Sequence, residues 1–247
     1  MRITESIPET LSTHLLDNAL CGALLRQLND FENMVFGPDF ACDFGAIQPW
    51  VDSGCLFYSA VCGEAVPGRR RILSLVSVFI TTCSSRDRML AGEIADFELT
   101  PWLDDPSSEP AIYFSSVVSD SPQHLAGMYA SLLNDLCEFR DAHGLNFHSG
   151  FSISTGPAGL RHMARNGFQP LARRRYRGTY EMLVVDARSA AAEFWRILFD
   201  TEMAFLTRAG FAGDEDCADG TRSSARDADS GDIFSDRVLF NAQLTNS

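Results

Sequence analysis

The chain has 247 residues, 45% of them hydrophobic, and a formal net charge of −13, which suits a globular domain with a substantial core. All twenty basic residues are arginine, so chemistry that needs a lysine, such as a Schiff base or a phosphate-loop lysine, is excluded. The acidic balance predicts no nucleic-acid partner, because duplex binding depends on neutralising phosphates, and it favours a small amine-bearing substrate.

Targeting and redox signals are weak throughout the sequence. No apolar run is as long as a membrane span, and the first ten residues lack the layout of a secretory signal. The seven cysteines are scattered and form no CxxC pair. These features predict a cytoplasmic protein without a membrane anchor, a disulfide framework or a bound metal.

The first hundred residues predict helices followed by strands. Leucines at helical spacing predict an amphipathic helix over 8–34, and a loop with a short helix follows. Two segments rich in β-branched and aromatic residues, 55–63 and 71–82, predict a hairpin of core strands. Residues 92–102 alternate less regularly and are predicted as a further strand.

From residue 111 onward, predicted strands and helices alternate. Residues 111–120 are the clearest strand, and Ser121-Pro122 begins a predicted helix that ends at Gly144. The segments that follow predict a strand over 145–155, a short helix over 156–167 and a closing hairpin up to 186. This order predicts an α/β (α+β) domain over 1–187, with a mixed, mostly antiparallel twisted sheet flanked by helices.

Residues 188–247 are predicted as a C-terminal extension with a different character. An amphipathic helix over 188–210 precedes an acidic segment, 213–232, that has almost nothing apolar and is predicted as a flexible loop. The final residues regain enough hydrophobicity to predict a docking tail.

Three features of the second half resemble the Gcn5-related N-acetyltransferase (GNAT) superfamily. A strand ending in Val117-Val118 precedes a helix with small residues in its first turns, and the short helix ends in Gly167-Phe168. The closing hairpin carries Met182, where the family often has a methionine. The resemblance covers roughly residues 30–186 and implies a GNAT-like fold, acetyl-CoA or another acyl-CoA as co-substrate, and acyl transfer to an amine.

The resemblance also implies a donor site at the start of the long helix. Coenzyme A carries a diphosphate, which helix N-terminal N–H groups can bind, and small residues let it approach the backbone. The family's second small position falls on Met128 here, or on Tyr129 in the other register. The implied donor-binding residues are Val117, Val118 and Ser119 for the pantetheine arm, and Gln123, His124, Leu125, Ala126, Gly127 and Met128 for the diphosphate.

Amide formation needs a base for the amine proton and an acid for the departing thiolate. The family often has a tyrosine as the acid four residues before the Gly of Gly-Phe, and Met163 occupies that position. The strand over 111–120 has no carboxylate at the family's usual place for a base. Candidate bases are Glu93, Asp96 and Glu98 in the segment before that strand, and His148 after the long helix, and we select Glu98 and His148.

Six of the twenty basic residues lie between positions 161 and 177. Three roles stay open for them: neutralising acidic surface such as 213–232, contacting a donor phosphate or an acidic acyl carrier protein, and holding a substrate carboxylate.

The sequence therefore predicts an N-acyltransferase that moves an acetyl or longer acyl group from acyl-CoA to an amine of a small metabolite or peptide. One alternative is an acyl-carrier-protein-dependent enzyme similar to N-acyl amino acid or acyl-homoserine lactone synthases. A second is a GNAT-fold interaction module that has lost its chemistry. The sequence makes no prediction about the oligomeric state.

Overall fold

The computed structural model describes residues 9–12, 18–37, 44–66, 69–119, 121–154, 156–175, 179–186 and 192–199. Within them the strands are β1 (Glu9–Ser12), β2 (Leu56–Val66), β3 (Arg69–Thr82), β4 (Pro110–Val118), β5 (Ser149–Ser154), β6 (Gln169–Arg175) and β7 (Thr179–Asp186). The α-helices are α1 (Asn18–Phe36), α2 (Phe44–Ser53), α3 (Cys83–Ala91), α4 (Pro122–His143), α5 (Pro157–Arg165) and α6 (Glu193–Phe199), with two short 3₁₀ helices at Asp96–Glu98 and Trp102–Asp104.

The seven strands form one sheet in the order β1-β2-β3-β4-β5-β7-β6. Every neighbouring pair is antiparallel except β4 and β5, which run parallel. Parallel neighbours need a crossover connection, and α4 supplies it. The sheet is therefore mixed and mostly antiparallel, which confirms the predicted fold class.

Side chains along each strand point alternately to the two faces of the sheet, and both faces carry apolar residues. On one face, Tyr113 of β4 lies beside Phe79 of β3, and Trp50 of α2 stacks on Phe79 with ring centroids 4.6 Å apart. On the other face, Phe114 contacts Tyr129 of α4 and Trp195 of α6. We call these the α1–α2 face and the α4–α6 face.

The long helix α4 has the ends that its sequence predicts. The Ser121 hydroxyl caps the helix by accepting from the His124 N–H at 3.1 Å, and Pro122 occupies the first turn, where its missing N–H costs nothing. Gly144 ends the helix with φ of 62°, in the left-handed region that glycine adopts readily. The predicted helix over 121–144 is confirmed.

The prediction of one helix over 8–34 is wrong at its start. Residues 9–12 form β1, and the described helix begins at Asn18. Strand β1 pairs antiparallel with β2, from Glu9 opposite Cys62 to Ser12 opposite Ser59. The leucine spacing of this segment suits either state, and only the partner edge of β2 decides between them.

The strand predicted over 92–102 is also wrong. Helix α3 precedes this region: the Thr82 hydroxyl caps its start by accepting from Ser85 N–H, and Gly92 caps its end. The two 3₁₀ helices follow, and an isolated bridge from Pro101 to Thr81 of β3 connects this region to the sheet. Asp, Glu and Pro are unfavourable in strands, so this segment forms turns and short 3₁₀ helices instead.

Of the C-terminal extension, 192–199 is described and contains α6. The rest of the predicted helix over 188–210, the acidic segment 213–232 and the tail lie outside the described residues. Among the helices described here, none combines the length and the apolar character that crossing a membrane requires.

Candidate active site

Strands β4 and β5 separate in the middle of the sheet and leave a cleft. Three residue pairs join them, the last being Phe114 with Ser152, although β4 continues to Val118 and β5 to Ser154. On its other side β4 stays paired with β3, but the register shifts at Ser115, as in a β-bulge. The β4 backbone beyond Phe114 therefore borders the cleft.

The cleft opens on the α1–α2 face and combines aromatic walls with two carboxylates. The carboxylates are Glu32 of α1 and Asp96 of the first 3₁₀ helix. The lining includes no arginine or histidine among the described residues. Its aromatic members are Phe36, Trp50, Tyr58, Phe79, Phe97, Tyr113 and Phe114.

Glu32 is held over the sheet by serine hydroxyls. Ser77 of β3 donates to its Oε1 at 2.9 Å, and Ser116 of β4 also hydrogen-bonds its carboxylate. Burial raises the pKa of Glu32 above its ordinary value, and the Asp96 charge adds to this, while the two serines oppose it. Glu32 therefore holds its proton at a higher pH than an ordinary glutamate does.

Asp96 faces the same cleft from the other side. Its Oδ1 accepts from the Phe97 N–H at 3.0 Å, and its Oδ2 lies 3.5 Å from the Tyr113 hydroxyl. Burial raises the pKa of Asp96 as well, and these hydrogen bonds oppose the shift. Two carboxyl groups with raised pKa values in one cleft are suited to accepting a proton from a bound amine.

The two selected catalytic residues lie away from this cleft. Glu98 is exposed, and its Oε2 accepts from the Ala95 N–H at 2.8 Å, which caps the 3₁₀ helix. His148 is exposed on the loop before β5, at the end of that strand opposite the opening. Met163, at the family's tyrosine position, is buried. Asp96, named among the candidate bases, is the one that borders the cleft.

Glu32 was not among the residues predicted for the site, although its position in α1 is a signal. Leu25, Leu28 and Glu32 fall on one stripe of α1, at positions i, i+3 and i+7, and both leucines are buried. A carboxylate on the apolar stripe of an amphipathic helix must face the core or a cleft, so its position itself marks it as unusual.

The strand residues predicted to bind the pantetheine arm line or follow the cleft. Val117 borders it, and the Val117 and Val118 side chains are buried in the core. Ser119 turns back toward the helix, since its hydroxyl donates to the Ser121 carbonyl at 2.6 Å. It also lies 3.3 Å from the Ser74 hydroxyl of β3.

The N-terminus of α4 is largely occupied by its own hydrogen bonds. Pro122 has no N–H, His124 N–H donates to the Ser121 hydroxyl, and Leu125 N–H donates to the Ser121 carbonyl at 3.2 Å. Gln123 is the first-turn residue whose N–H has no acceptor among the described residues. Among the described residues, the start of α4 therefore leaves one amide for a diphosphate unless Ser121 turns away.

The predicted diphosphate-binding side chains divide between core and surface. Leu125 and Met128 are buried and anchor α4 to the sheet. The other four are accessible: Gln123 and Gly127 are exposed, and His124 and Ala126 are half-buried. The His124 Nδ1 lies 3.4 Å from the Ser74 hydroxyl.

In the arginine-rich segment, one ion pair joins the two strands of the closing hairpin. Arg173 of β6 pairs with Glu181, the residue opposite it on β7. Arg161 and Arg165 are exposed on α5. The side chains of Arg174 and Arg175, and the whole of Arg177, lie outside the described residues.

A buried polar group lies on the opposite face, between α4 and α5. The Tyr129 hydroxyl is 3.0 Å from His162 Nε2, and Asn166 Nδ2 donates to the His162 carbonyl at 2.9 Å. Burial, helped by the Arg165 charge, lowers the pKa of His162 to about 4. When His162 is neutral, its Nε2 can accept a hydrogen bond from the Tyr129 hydroxyl, so the two helices pack without a buried charge.

No group of three His, Cys, Asp or Glu side chains suited to holding a metal ion occurs in the described part of the chain.

Known proteins were compared with the chain by sequence and by structure. No protein-family model matches it, and no curated protein matches it. Among solved structures it is similar to Arabidopsis thaliana NAA60 in complex with acetyl-CoA, at 12% identity, covering 74% of this chain and 99% of that chain with a TM-score of 0.47.

Two further solved structures are similar to the chain, with comparable identity, coverage and TM-score. FeeM, an N-acyl amino acid synthase from uncultured soil microbes, is 11% identical, covering 81% of this chain and 99% of that chain with a TM-score of 0.45. Drosophila melanogaster polyamine N-acetyltransferase is 13% identical, covering 72% of this chain and 100% of that chain with a TM-score of 0.42. Likeness at this level concerns the fold alone.

Proposed function

We propose that the protein is an N-acyltransferase that moves an acyl group from a thioester to an amine bound in the β4–β5 cleft. The observation that carries this proposal is the separation of the parallel strands beyond Phe114 and Ser152, with Glu32 and Asp96 facing the gap. The free strand edge offers backbone groups for an extended donor arm. The carboxylates offer a base for the acceptor.

The reaction needs few protein groups. The acceptor ammonium loses a proton to a carboxylate, and the neutral nitrogen then attacks the thioester carbonyl. A C–N bond forms, the C–S bond breaks, the nitrogen loses its second proton, and the thiolate takes up a proton to leave as a thiol. Holding amine and thioester in contact supplies much of the rate, so the reaction does not depend on an acid at Met163.

Asp96 is the base we propose, and Glu32 supports it. Asp96 stands beside the exposed Phe97 at the cleft mouth, where an incoming amine arrives first. Glu32 lies deeper, tied to Ser77 and Ser116, and its charge adds to the field that holds the ammonium. Glu98 and His148 stay predictions from sequence, to be measured beside these two.

For the donor, we propose that the backbone of Val117, Val118 and Ser119 holds the pantetheine arm, with the diphosphate at Gln123–Met128. Acetyl-CoA or a longer acyl-CoA is the expected co-substrate. One observation favours a second donor, a thioester on an acyl carrier protein. The Ser121 cap and the buried Met128 leave a poor diphosphate site, and a carrier protein would anchor the donor elsewhere.

Release of free thiol tests this function. The protein is incubated with acetyl-CoA or a long-chain acyl-CoA and a panel of primary amines, and the thiol is titrated over time. We expect release that depends on the amine, and an amide product by mass spectrometry. Asp30→Asn on the exposed side of α1 serves as the control variant.

Three results separate the candidates. Release from acyl-CoA supports the CoA-dependent enzyme. Release only from an acylated carrier protein supports the second donor. The absence of release with every short and long acyl-CoA and with the carrier would contradict both and leave a GNAT-fold interaction module.

A further inference from the structure

Aromatic side chains surround the carboxylates of the cleft, and one of them is exposed. Phe97 follows Asp96 directly and has 48% of its surface exposed, whereas Trp50, Tyr58 and Tyr113 of the walls are buried. Ligand pockets are commonly lined by aromatic side chains, so an accessible ring beside two carboxylates is positioned to contact a ligand.

The charges around the cleft are of one sign. Glu32 and Asp96 both carry carboxylates, and the described lining contains no cationic side chain that could pair with a ligand carboxylate. A ligand carboxylate would therefore enter a partly desolvated site beside two like charges, which is strongly unfavourable. An ammonium group would meet the opposite situation, with two carboxylates and the faces of aromatic rings.

We propose that the acceptor is a cationic amine with an apolar body and no carboxylate, such as an alkyl or arylalkyl monoamine. This inference rests on the proposed function for its reaction, but it concerns which ligands the cleft binds. The ammonium lies between Asp96 and Glu32, and the apolar body lies against Phe97 and the aromatic wall. Free amino acids are expected to bind poorly, because no cationic side chain among the described lining residues could pair with their carboxylate.

Equilibrium binding without any donor tests the ligand class independently of catalysis. Calorimetry is carried out on the full chain with four matched ligands: phenethylamine, phenylalaninamide, phenylalanine and 2-phenylethanol. We expect the two carboxylate-free cations to bind at least tenfold more tightly than phenylalanine and than the neutral alcohol. Equal or tighter binding of phenylalanine would overturn the proposal.

Variants assign the binding to the cleft. Asp96→Asn and Glu32→Gln keep side-chain shape and should each weaken phenethylamine binding at least tenfold, while Asp30→Asn, exposed on α1, should leave it unchanged. Phe97→Ala changes an exposed residue, so it remains folded, and it should weaken phenethylamine severalfold. Unchanged affinity in Phe97→Ala and Asp96→Asn would overturn the placement.

The same ligands separate failure of this inference from failure of the proposed function. If thiol release occurs with amino acids but not with monoamines, the transferase stands and the ligand class is wrong. If monoamines bind in the predicted order but no donor releases thiol, the ligand class stands and the transferase is wrong.

Discussion

Asp96 and Glu32 are the two residues at which the proposed chemistry can be compared with the stability of the fold. Each carboxyl has a raised pKa caused first by burial, so each holds its proton at a higher pH than an ordinary carboxyl. A base must be ionised to act, and the free protein's base sets the acidic limb of the kcat/KM profile. The raised pKa of Asp96 therefore moves that limb above the range of an unperturbed aspartate.

The first prediction concerns Asp96→Asn. We expect kcat/KM to fall by roughly 10²- to 10⁴-fold, the usual contribution of a general base, and the acidic limb to disappear. The measurement is thiol release from pH 5 to 9 in the wild-type chain, in Asp96→Asn and in Asp104→Asn, an exposed aspartate that serves as the control. A larger loss of kcat/KM in Glu98→Gln or His148→Asn than in Asp96→Asn would show that one of those two residues is the base.

A second prediction uses stability to separate catalysis from unfolding. A carboxyl whose folded pKa is raised stabilises the fold below its unfolded pKa, and this contribution is lost as the pH rises through the folded pKa. Ionisation of Glu32 and Asp96 in the folded protein therefore opposes folding. Glu32→Gln and Asp96→Asn should therefore unfold at higher denaturant concentration than the wild type while losing activity.

Denaturation with urea at pH 7 and at pH 4 measures this effect. The gain should shrink at pH 4, where the wild-type carboxyls approach the protonated state and resemble the amides. Variants that were less stable than the wild type at pH 7 would show that the carboxylates hold the fold together, and their loss of activity would then say nothing about catalysis.

The third prediction tests the donor site at Ala126 and Gly127. Both lie on the accessible side of the first turns of α4, so bulkier side chains there cost little packing. The double variant Ala126→Val/Gly127→Val should block approach of a diphosphate to the helix backbone and abolish acyl-CoA binding by calorimetry. Ala130→Val, on the exposed surface of the same helix, is the control. Unchanged acyl-CoA affinity in the folded double variant would show that the donor diphosphate does not bind at the start of α4.

At the scale of elements, local signals predicted most of the fold. The helix over 121–144 was predictable because its cap Ser121 and its terminal Gly144 act on their own neighbours. The strand over 111–120 was predictable because its side chains are β-branched and aromatic. Strand β1 was not, because its state depends on the distant edge of β2.

The site depends even more on contacts that are distant in sequence. Glu32 meets Ser77, Ser116 and the field of Asp96 only after α1 has docked on the sheet. Position on the apolar stripe of α1 could have identified Glu32, but not its partners. The cap that Glu98 forms on its own 3₁₀ helix was equally invisible from the sequence, because the region read as a strand.

The fourth prediction concerns the contact between α4 and α5. The lowered pKa of His162, caused by burial and then by Arg165, means that the folded protein binds its proton less tightly than the unfolded chain does. The stability that His162 supports is complete above pH 6.5 and is lost as the pH falls toward 4. The shift corresponds to a change on the order of 3 kcal/mol in the free energy of unfolding.

Unfolding in urea between pH 4 and 7 checks this prediction. His162→Gln should lower stability at pH 7, because Tyr129 loses its acceptor, and should flatten the pH dependence in this window. His148→Gln, which replaces an exposed histidine, is the matched comparison variant. A slope that persisted in His162→Gln would assign the dependence to other groups.

At the scale of the whole molecule, we infer a catalytic domain over 1–187 and an extension over 188–247, with α6 built into the domain's core. Trp195 of α6 is buried against Phe114 and Phe168. The buried Arg140 of α4 donates to the carbonyls of Ile197 and Leu198 at 3.0 and 3.1 Å, which caps the end of α6. The first part of the extension therefore completes the α4–α6 face.

Gly150 of β5 provides the last prediction, because Trp195 lies directly over it. A β-carbon at position 150 would collide with the six-membered part of the Trp195 ring, which is packed and cannot turn aside. Gly150→Ala should therefore cost about 1–3 kcal/mol of unfolding free energy. Trp195→Ala alone should cost about 3–5 kcal/mol through the cavity that it leaves.

The double variant decides whether the two effects share one cause. With the Trp195 ring removed, the alanine at 150 meets no obstacle, so Gly150→Ala should cost much less in the Trp195→Ala background than in the wild type. Urea unfolding of the four proteins in this cycle gives the coupling directly. Additive costs would mean that α6 does not rest on β5 in solution, and the C-terminal extension would then be an appendage to the domain rather than part of its core.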